Sequence, residues 1–279
     1  NAPIHLTGYC LGGTLAMITA AYMAHEKDER LKSLSLFAAQ GDFTEAGEMM
    51  VFVTPGEVDY LEKMMKGQGY LDTKQMAGAF QMLRSYDLIW SRMVKEYLMG
   101  QRGELFDIMA WNADTTRMPY KMHSEYLQSL YIDNDLANGR FLVDGRPVSL
   151  QDIRAPMFVV GTERDHVAPW KSVYKIHRLT DTSVTFALAN GGHNAGIVSE
   201  PNHNGRHYRI AHHYDRHPIL GPDQWFETAE ERSGSWWTGW SKWLEEHSSP
   251  DMVKPPTFGA ARKGYPVLDD APGSYIFQR

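Results

Sequence analysis

The feature that most constrains this chain is a short turn, Gly8-Tyr9-Cys10-Leu11-Gly12, set between two different periodicities. Before it, residues 3–9 alternate and predict a short strand. After it, Leu11, Leu15, Ile18 and Tyr22 recur at helical spacing and predict a helix. A strand that turns at once into a helix leaves its central residue on a strained corner. Side chains two positions to either side would collide there, which is the expected reason for Gly8 and Gly12. Cys10 at the centre is a candidate nucleophile. The helix N-terminus below it favours thiolate, and the Leu11 backbone N–H would point at a developing oxyanion.

Composition narrows what surrounds this turn. With 279 residues, 43% of them hydrophobic, the chain can build a full core without disulfides or metals. A net charge of −6 argues against a dominant nucleic-acid role. Cys10 is the only cysteine, so neither an internal disulfide nor a Cys-rich zinc site can form. The competing reading of such a cysteine is a buried core residue. No apolar run approaches the ~18 to 20 residues of a membrane span. The sequence opens directly into the strand around Ile4-His5-Leu6, which predicts a fragment of a longer protein. From that follows an expectation that residues 1–279 alone are inactive and poorly stable, with an exposed sheet edge.

A second apolar run, 34–39, has the length of a buried parallel strand. The stretch 42–150 then changes character, becoming Met-rich, aromatic and helical in period. Tyr86, Ile89, Trp90, Met93, Val94 and Tyr97 share one helix face, and Met122, Tyr126, Leu130 and Tyr131 another; both stripes are expected to be core. Val143-Asp144-Gly145-Arg146-Pro147 reads as a closing turn. Strands resume at 157–160 and 183–189, separated by a helix that Pro169 opens. Trp236, Trp237, Trp240, Trp243 and Leu244 predict an amphipathic closing helix whose tryptophans pack. The organisation is therefore an α/β core over 1–41 and 151–247, a helical cap insertion over 42–150, and an extended tail over 248–279. Alternating strand and helix, with polar sites at strand ends, is the pattern of a doubly wound α/β sheet.

Two of those strand ends carry further chemistry. Asp165 follows the strand at 157–160, and His193 follows the next, after Gly191-Gly192. The chain order is nucleophile, acid, histidine, which is the order of α/β-hydrolases. Taken singly, Asp165 reads as a solvated loop carboxylate and His193 as a turn histidine. The order and the strand ends together make Cys10, His193 and Asp165 a candidate triad. His166 beside Asp165 is expected to support the Asp loop. His203, His207, His212, His213 and His217 crowd the stretch 202–217, where an exposed Arg/His-rich helix or loop is expected. His203 and His207 have metal-pair spacing, yet no acidic residue joins them until Asp215, so no metal site is assigned.

With these residues in view, the chain resembles the polyhydroxyalkanoate synthases, the class I type in particular. The resemblance rests on Gly8-Tyr9-Cys10-Leu11-Gly12-Gly13, Trp111-Asn112-Ala113-Asp114, Arg117-Met118-Pro119 and Tyr126-Leu127. It continues through Asp165-His166-Val167-Ala168-Pro169-Trp170, Gly192-His193-Asn194-Ala195-Gly196, Gly234-Ser235-Trp236-Trp237 and Ala271-Pro272-Gly273-Ser274-Tyr275. It implies an α/β-hydrolase fold whose N-terminal strands and first oxyanion-loop donor are missing here. It also implies a cytoplasmic, granule-associated acyltransferase that polymerises 3-hydroxyacyl-CoA, short-chain units such as 3-hydroxybutyryl among them. Cys10 would carry the growing polymer. Asp165 would orient His193, and either of the two would activate the 3-hydroxyl. A homodimer and polymer-granule surface proteins are the implied partners, with no cofactor beyond the coenzyme A thioester of the substrate.

Two other readings compete. Dienelactone hydrolases carry a similar cysteine elbow followed by Asp and His, but they lack so large an insertion between Cys10 and Asp165. A granule-binding protein with a decayed site is the non-enzymatic alternative, and the intact Cys10, Asp165 and His193 argue against it.

Overall fold

Alternating side chains in the central strands feed two different layers. The computed structural model of the chain describes residues 3–72, 78, 82, 85–101, 107–108, 111, 117–271 and 273–274. β1 (Ile4–Tyr9), β2 (Leu31–Phe37), β3 (Met157–Thr162) and β4 (Val184–Ala189) pair in parallel, each with the next. β5 (His207–His213) and β6 (Glu230–Ser233) extend the sheet in antiparallel fashion. β1 is the outer strand at the other edge. Leu34, Leu36, Met157, Val159, Val184, Phe186 and Leu188 face one layer. Phe37, Phe158, Val160, Ala187 and Ala189 face the other.

α1 (Leu11–His25) covers the first layer with part of the helical row, Ile18 buried and Tyr22 packed against the core, but mostly through its small residues. Gly13, Thr14, Ala16, Met17, Ala20 and Ala21 are buried, while Leu15 is 45% exposed. The small residues let the helix lie close to the sheet: a Cβ added at Gly13 would stand 2.3 Å from the Ala39 Cβ. The second layer is α7 (Trp236–His247). Trp236 and Trp243 are buried against Phe37 and Phe158, and the Trp240 indole donates to Ser35 Oγ at 2.9 Å. The tryptophans pack, as expected.

Between β2 and β3 lies the helical segment. α2 (Pro55–Gln68) starts at a capping box, with Thr54 Oγ1 and the Glu57 carboxylate each accepting from the other's backbone N–H. α3 (Tyr120–Tyr126) packs against it and runs on into a wide turn, Leu127–Ile132. Phe43, Val53, Val58, Leu127, Leu130 and Tyr131 share one buried cluster with α1 and the sheet. The second predicted stripe therefore enters the core, but the first does not. Tyr86, Ile89, Trp90, Met93, Val94 and Tyr97 lie in wide helical turns, Tyr86–Trp90 and Met93–Leu98, and all are exposed, Tyr97 by 83%. Periodicity shows that residues share a face; it does not supply a surface to cover them. A two-stranded ribbon, Leu142–Val143 with Arg146–Pro147, closes the segment where the turn was predicted.

The His-rich stretch is the other departure. Its middle, His207–His213, forms β5, because Tyr208 and Ile210 alternate with polar neighbours and bury against α7, while His203 and His217 lie in exposed turns as expected. Short helices α4 (Trp170–Tyr174) and α5 (Ile176–Leu179) link β3 to β4, and α6 (Pro222–Thr228) precedes β6. Among the described residues no helix is long and apolar enough to cross a membrane. Asn112, Ala113, Asp114, Pro272 and Tyr275 lie outside the described residues.

Candidate active site

Cys10 stands at the join of β1 and α1 with φ 52° and ψ −124°. A non-glycine residue at positive φ is strained and persists only where its surroundings over-determine it. Here the Cys10 N–H donates to Phe37 O at 2.9 Å, and its carbonyl accepts from Gly13 and Thr14. Gly8 is required as predicted: a Cβ there would lie 2.4 Å from Gly12 O. Gly12 is not required, since a Cβ there meets open space. The helix side of the turn needs its glycine one residue later, at Gly13, where Ala39 passes beneath. Leu11 is the first residue of α1, so its N–H has no carbonyl one turn back to bond. That free donor beside Cys10 suits an anion.

Asp165 sits in the turn after β3, fully buried, with its Oδ2 2.7 Å from His193 Nδ1. Its Oδ1 accepts from Val167 N (2.9 Å) and Ala168 N (2.8 Å), and its Oδ2 also accepts from Thr162 Oγ1 (3.1 Å). The Asp and His loops are tied by backbone bonds, Glu163 N to Ala189 O and Arg164 N to Gly191 O. Gly196 explains the Gly-His-x-x-Gly spacing: a Cβ there would meet Thr162 Cγ2 at 2.5 Å. The acid turn also leans on Gln40, a buried residue past the end of β2. Gln40 Nε2 donates to Val167 O at 3.1 Å, and the Gln40 main-chain carbonyl accepts from Thr14 Oγ1 at 2.9 Å. Gln40 thereby bridges the nucleophile helix and the Asp165 turn.

The electrostatics follow from these contacts. Burial alone would lower the His193 pKa. Hydrogen bonds to Asp165 and to Cys10, and the charges of both, outweigh that and raise it to about 10. A His193 so held keeps its proton near neutral pH and presents it towards Cys10. Tyr9 packs its ring 5.3 Å from the imidazole and reaches His193 O and Asn194 Oδ1 with its hydroxyl. Tyr126 and Tyr131 stand close enough to feel the Cys10 charge, are hydrogen-bonded to each other, and pack on Phe43. Burial is the main cause that raises both, Tyr131 to about 12. Phe43, Tyr126 and Tyr131 thus form an aromatic wall near Cys10.

The structure brings Cys10, His193, Asp165 and Leu11 together and leaves other candidates apart. His166 ties the Asp165 turn to the helical segment through its main-chain carbonyl, which accepts from Glu48 N at 2.9 Å. His203 pairs with Glu200, His212 with Thr185, and His207 lies 3.9 Å from Glu163. Among the described residues no group of three His, Cys, Asp or Glu can hold a metal ion. Tyr9, Gln40 and Thr162 escaped the sequence reading. Tyr9 and Thr162 had a local signal, one inside the elbow and one a strand-end threonine three residues before the acid; Gln40 had none.

Residues 1–200 match the family model of the alpha/beta hydrolase fold. The chain belongs to that family. It is 39% identical over 277 residues to a poly(3-hydroxyalkanoate) polymerase subunit PhaC of Rhizobium etli, covering 99% of this chain and 42% of that protein. A poly(3-hydroxyalkanoate) polymerase of Methylorubrum extorquens is 40% identical over 273 residues, 96% of this chain and 44% of the relative. The subunit PhaC of Cupriavidus necator is 32% identical over 279 residues, 98% of this chain and 46% of the relative. The chain thus spans less than half the length of these relatives. Within the alpha/beta hydrolase family, its likeness to the polymerases runs from end to end.

Proposed function

We propose that this chain carries the acyl-transfer chemistry of a poly(3-hydroxyalkanoate) polymerase, joining 3-hydroxyacyl units from coenzyme A thioesters through a covalent thioester on Cys10. The observation that carries the reading is a lone cysteine on a strained strand-to-helix corner, served by a His193 whose other nitrogen is fixed by buried Asp165. The likeness to polymerases along nearly the whole chain supports the substrate class.

In the first step the Cys10 thiolate attacks the thioester carbonyl, and the Leu11 N–H faces the oxyanion. The carbon–sulfur bond to coenzyme A breaks, and His193 gives its proton to the leaving thiolate. One thioester replaces another at nearly equal energy, so the acyl-enzyme stays reactive. Acylation also discharges Cys10. That removes the thiol's share in raising His193, and the neutral ring becomes a competent base. In the second step a 3-hydroxyl attacks the acyl-Cys10 carbonyl, its proton passes to His193, the new ester bond forms and the Cys10 thiolate leaves. Asp165 has donors on both oxygens, which supports His193 over Asp165 as the base for that hydroxyl. The wall of Phe43, Tyr126 and Tyr131 supports exclusion of water, which competes for the same thioester.

The test is the product formed from 3-hydroxybutyryl-CoA by the full-length protein. Turbid polymer with stoichiometric coenzyme A release is expected, and Cys10→Ala should abolish both. Free hydroxy acid without polymer would favour a dienelactone-type hydrolase. Polymer from the alanine variant would remove Cys10 from the mechanism.

A further inference from the structure

The Gly234-Ser235-Trp236-Trp237 segment lies at the start of α7, away from the triad in sequence, and the chemistry above leaves it without a task. Its side chains converge on one target. Ser235 Oγ donates to Ser199 O. The Trp236 indole N–H donates to Gly196 O at 2.9 Å, and the Trp237 indole N–H to Ile197 O at 2.9 Å. All three acceptors are main-chain carbonyls of the loop that carries His193. Ser235 also caps α7, its Oγ accepting from Trp237 N at 3.0 Å, so one hydroxyl locks the helix start to the loop. Tyr9 adds a further tether on the same loop, at His193 O (3.2 Å) and Asn194 Oδ1.

Packing alone does not require this chemistry. A phenylalanine could fill an apolar layer, but only an indole offers a large ring together with an N–H donor. The same helix supplies the contrast. Trp243 is buried against Phe158 and stacks on His247, with no bond to the His193 loop among the hydrogen bonds described. The loop's own bonds, Gly196 N to Gly192 O and Val198 N to Asn194 O, close its turn without joining it to the helix layer. The loop is built on Gly191 at φ 118° and on Gly192, a stretch without side chains to fix it. Asp165 holds the imidazole, yet nothing in that bond fixes the backbone beneath it.

From this convergence we infer that Ser235, Trp236 and Trp237, together with Tyr9, form a clamp that positions His193 against the Cys10 thiol. These are positioning residues; they act through the backbone of residues 193–199. Burial, then the charges of Cys10 and Asp165, raise the Tyr9 pKa, so its hydroxyl stays a donor over the working pH range. The acyl-transfer reading enters only as the reason His193 must be held; the clamp itself concerns the thiol–imidazole pair.

The test uses Tyr9→Phe and Trp237→Phe in the full-length protein, with Trp243→Phe as the packing control. Each of the first two deletes one donor and keeps an aromatic ring. The main readout is the rate of Cys10 alkylation by iodoacetamide against pH, followed on the Cys10 peptide by mass spectrometry. A loosened His193 pairs less well with the thiolate. Alkylation near neutral pH should therefore slow by ~10-fold and recover at high pH, where thiolate forms without help. Turnover of 3-hydroxybutyryl-CoA should lose ~10- to 100-fold in kcat at little change in KM, the scale of a displacement of about 1 Å. Trp243→Phe should lower Tm and leave the alkylation profile in place. Wild-type alkylation profiles in both Tyr9→Phe and Trp237→Phe would overturn the clamp, whatever happens to Tm. A shifted profile in a protein that makes no polymer would keep the clamp and sink the polymerase reading.

Discussion

Asp165 receives two backbone N–H groups on one oxygen, and the Thr162 hydroxyl and the His193 ring on the other. A carboxylate in that setting holds His193 in one tautomer and stabilises the imidazolium. An amide in its place has an NH2 group that must face donors, and it selects the wrong tautomer. Asp165→Asn is therefore expected to lower kcat for coenzyme A release by on the order of 10³- to 10⁴-fold with KM little changed. A loss below ten-fold, measured in steady state on folded protein, would mean that Asp165 does not orient the base. At this scale the sequence carried the chemistry well. Cys10, Asp165 and His193 each follow a strand, Cys10 and His193 inside short patterns of glycines, and the order of the three limits what they can be. The tethers were hidden because they span the chain: Gln40 meets Val167, and Tyr9 meets Asn194, across separations that no local periodicity records.

The elbow separates two glycines that look equivalent as letters. Gly8 faces the Gly12 carbonyl and the Gly13 Cα at distances a side chain cannot share, whereas Gly12 faces open space. Gly8→Ala should cost at least about 1–3 kcal/mol through forced displacement of the α1 start. Gly12→Ala should be neutral or gain up to ~1 kcal/mol, because alanine is the better helix residue. Urea unfolding of the two variants checks this, and equal losses would show that both sides of the turn are crowded. Elements as such were readable where pattern and burial agree, as in the short apolar runs of β2, β3 and β4, buried on both faces, and the tryptophan face of α7. They were misread where chemistry distracted from period. The histidines of β5 drew attention away from Tyr208 and Ile210, whose alternate burial makes that stretch a strand. The large residues of α1 likewise obscured the small ones that pack.

For the molecule as a whole, two histidines, buried His177 and partly buried His193, pull stability in opposite directions with pH. His177 lies in an aromatic cluster with Tyr174 and Phe186, and burial lowers its pKa to about 4, against the favourable bond to Tyr174 O. The unfolded chain takes up that proton near pH 6.5, so stability falls as pH drops from there towards 4, by about 3 kcal/mol in all. Burial lowers His123, His212 and His213 as well, and they add to the same limb. His193 behaves in the reverse sense. Its folded pKa, about 10, lies above the unfolded one, so its contribution is complete below pH 6.5 and is lost as pH rises towards 10. Stability should therefore peak near pH 6.5, and urea midpoints at pH 5, 6.5 and 8.5 would trace the peak. His177→Phe should make the acid limb shallower and leave the alkaline one alone. Cys10→Ala should do the converse, because the thiol supplies part of what holds the proton on His193. An alkaline limb of unchanged slope in Cys10→Ala would mean that His193 is charged without the thiol, and the thiolate–imidazolium pair would lose its support.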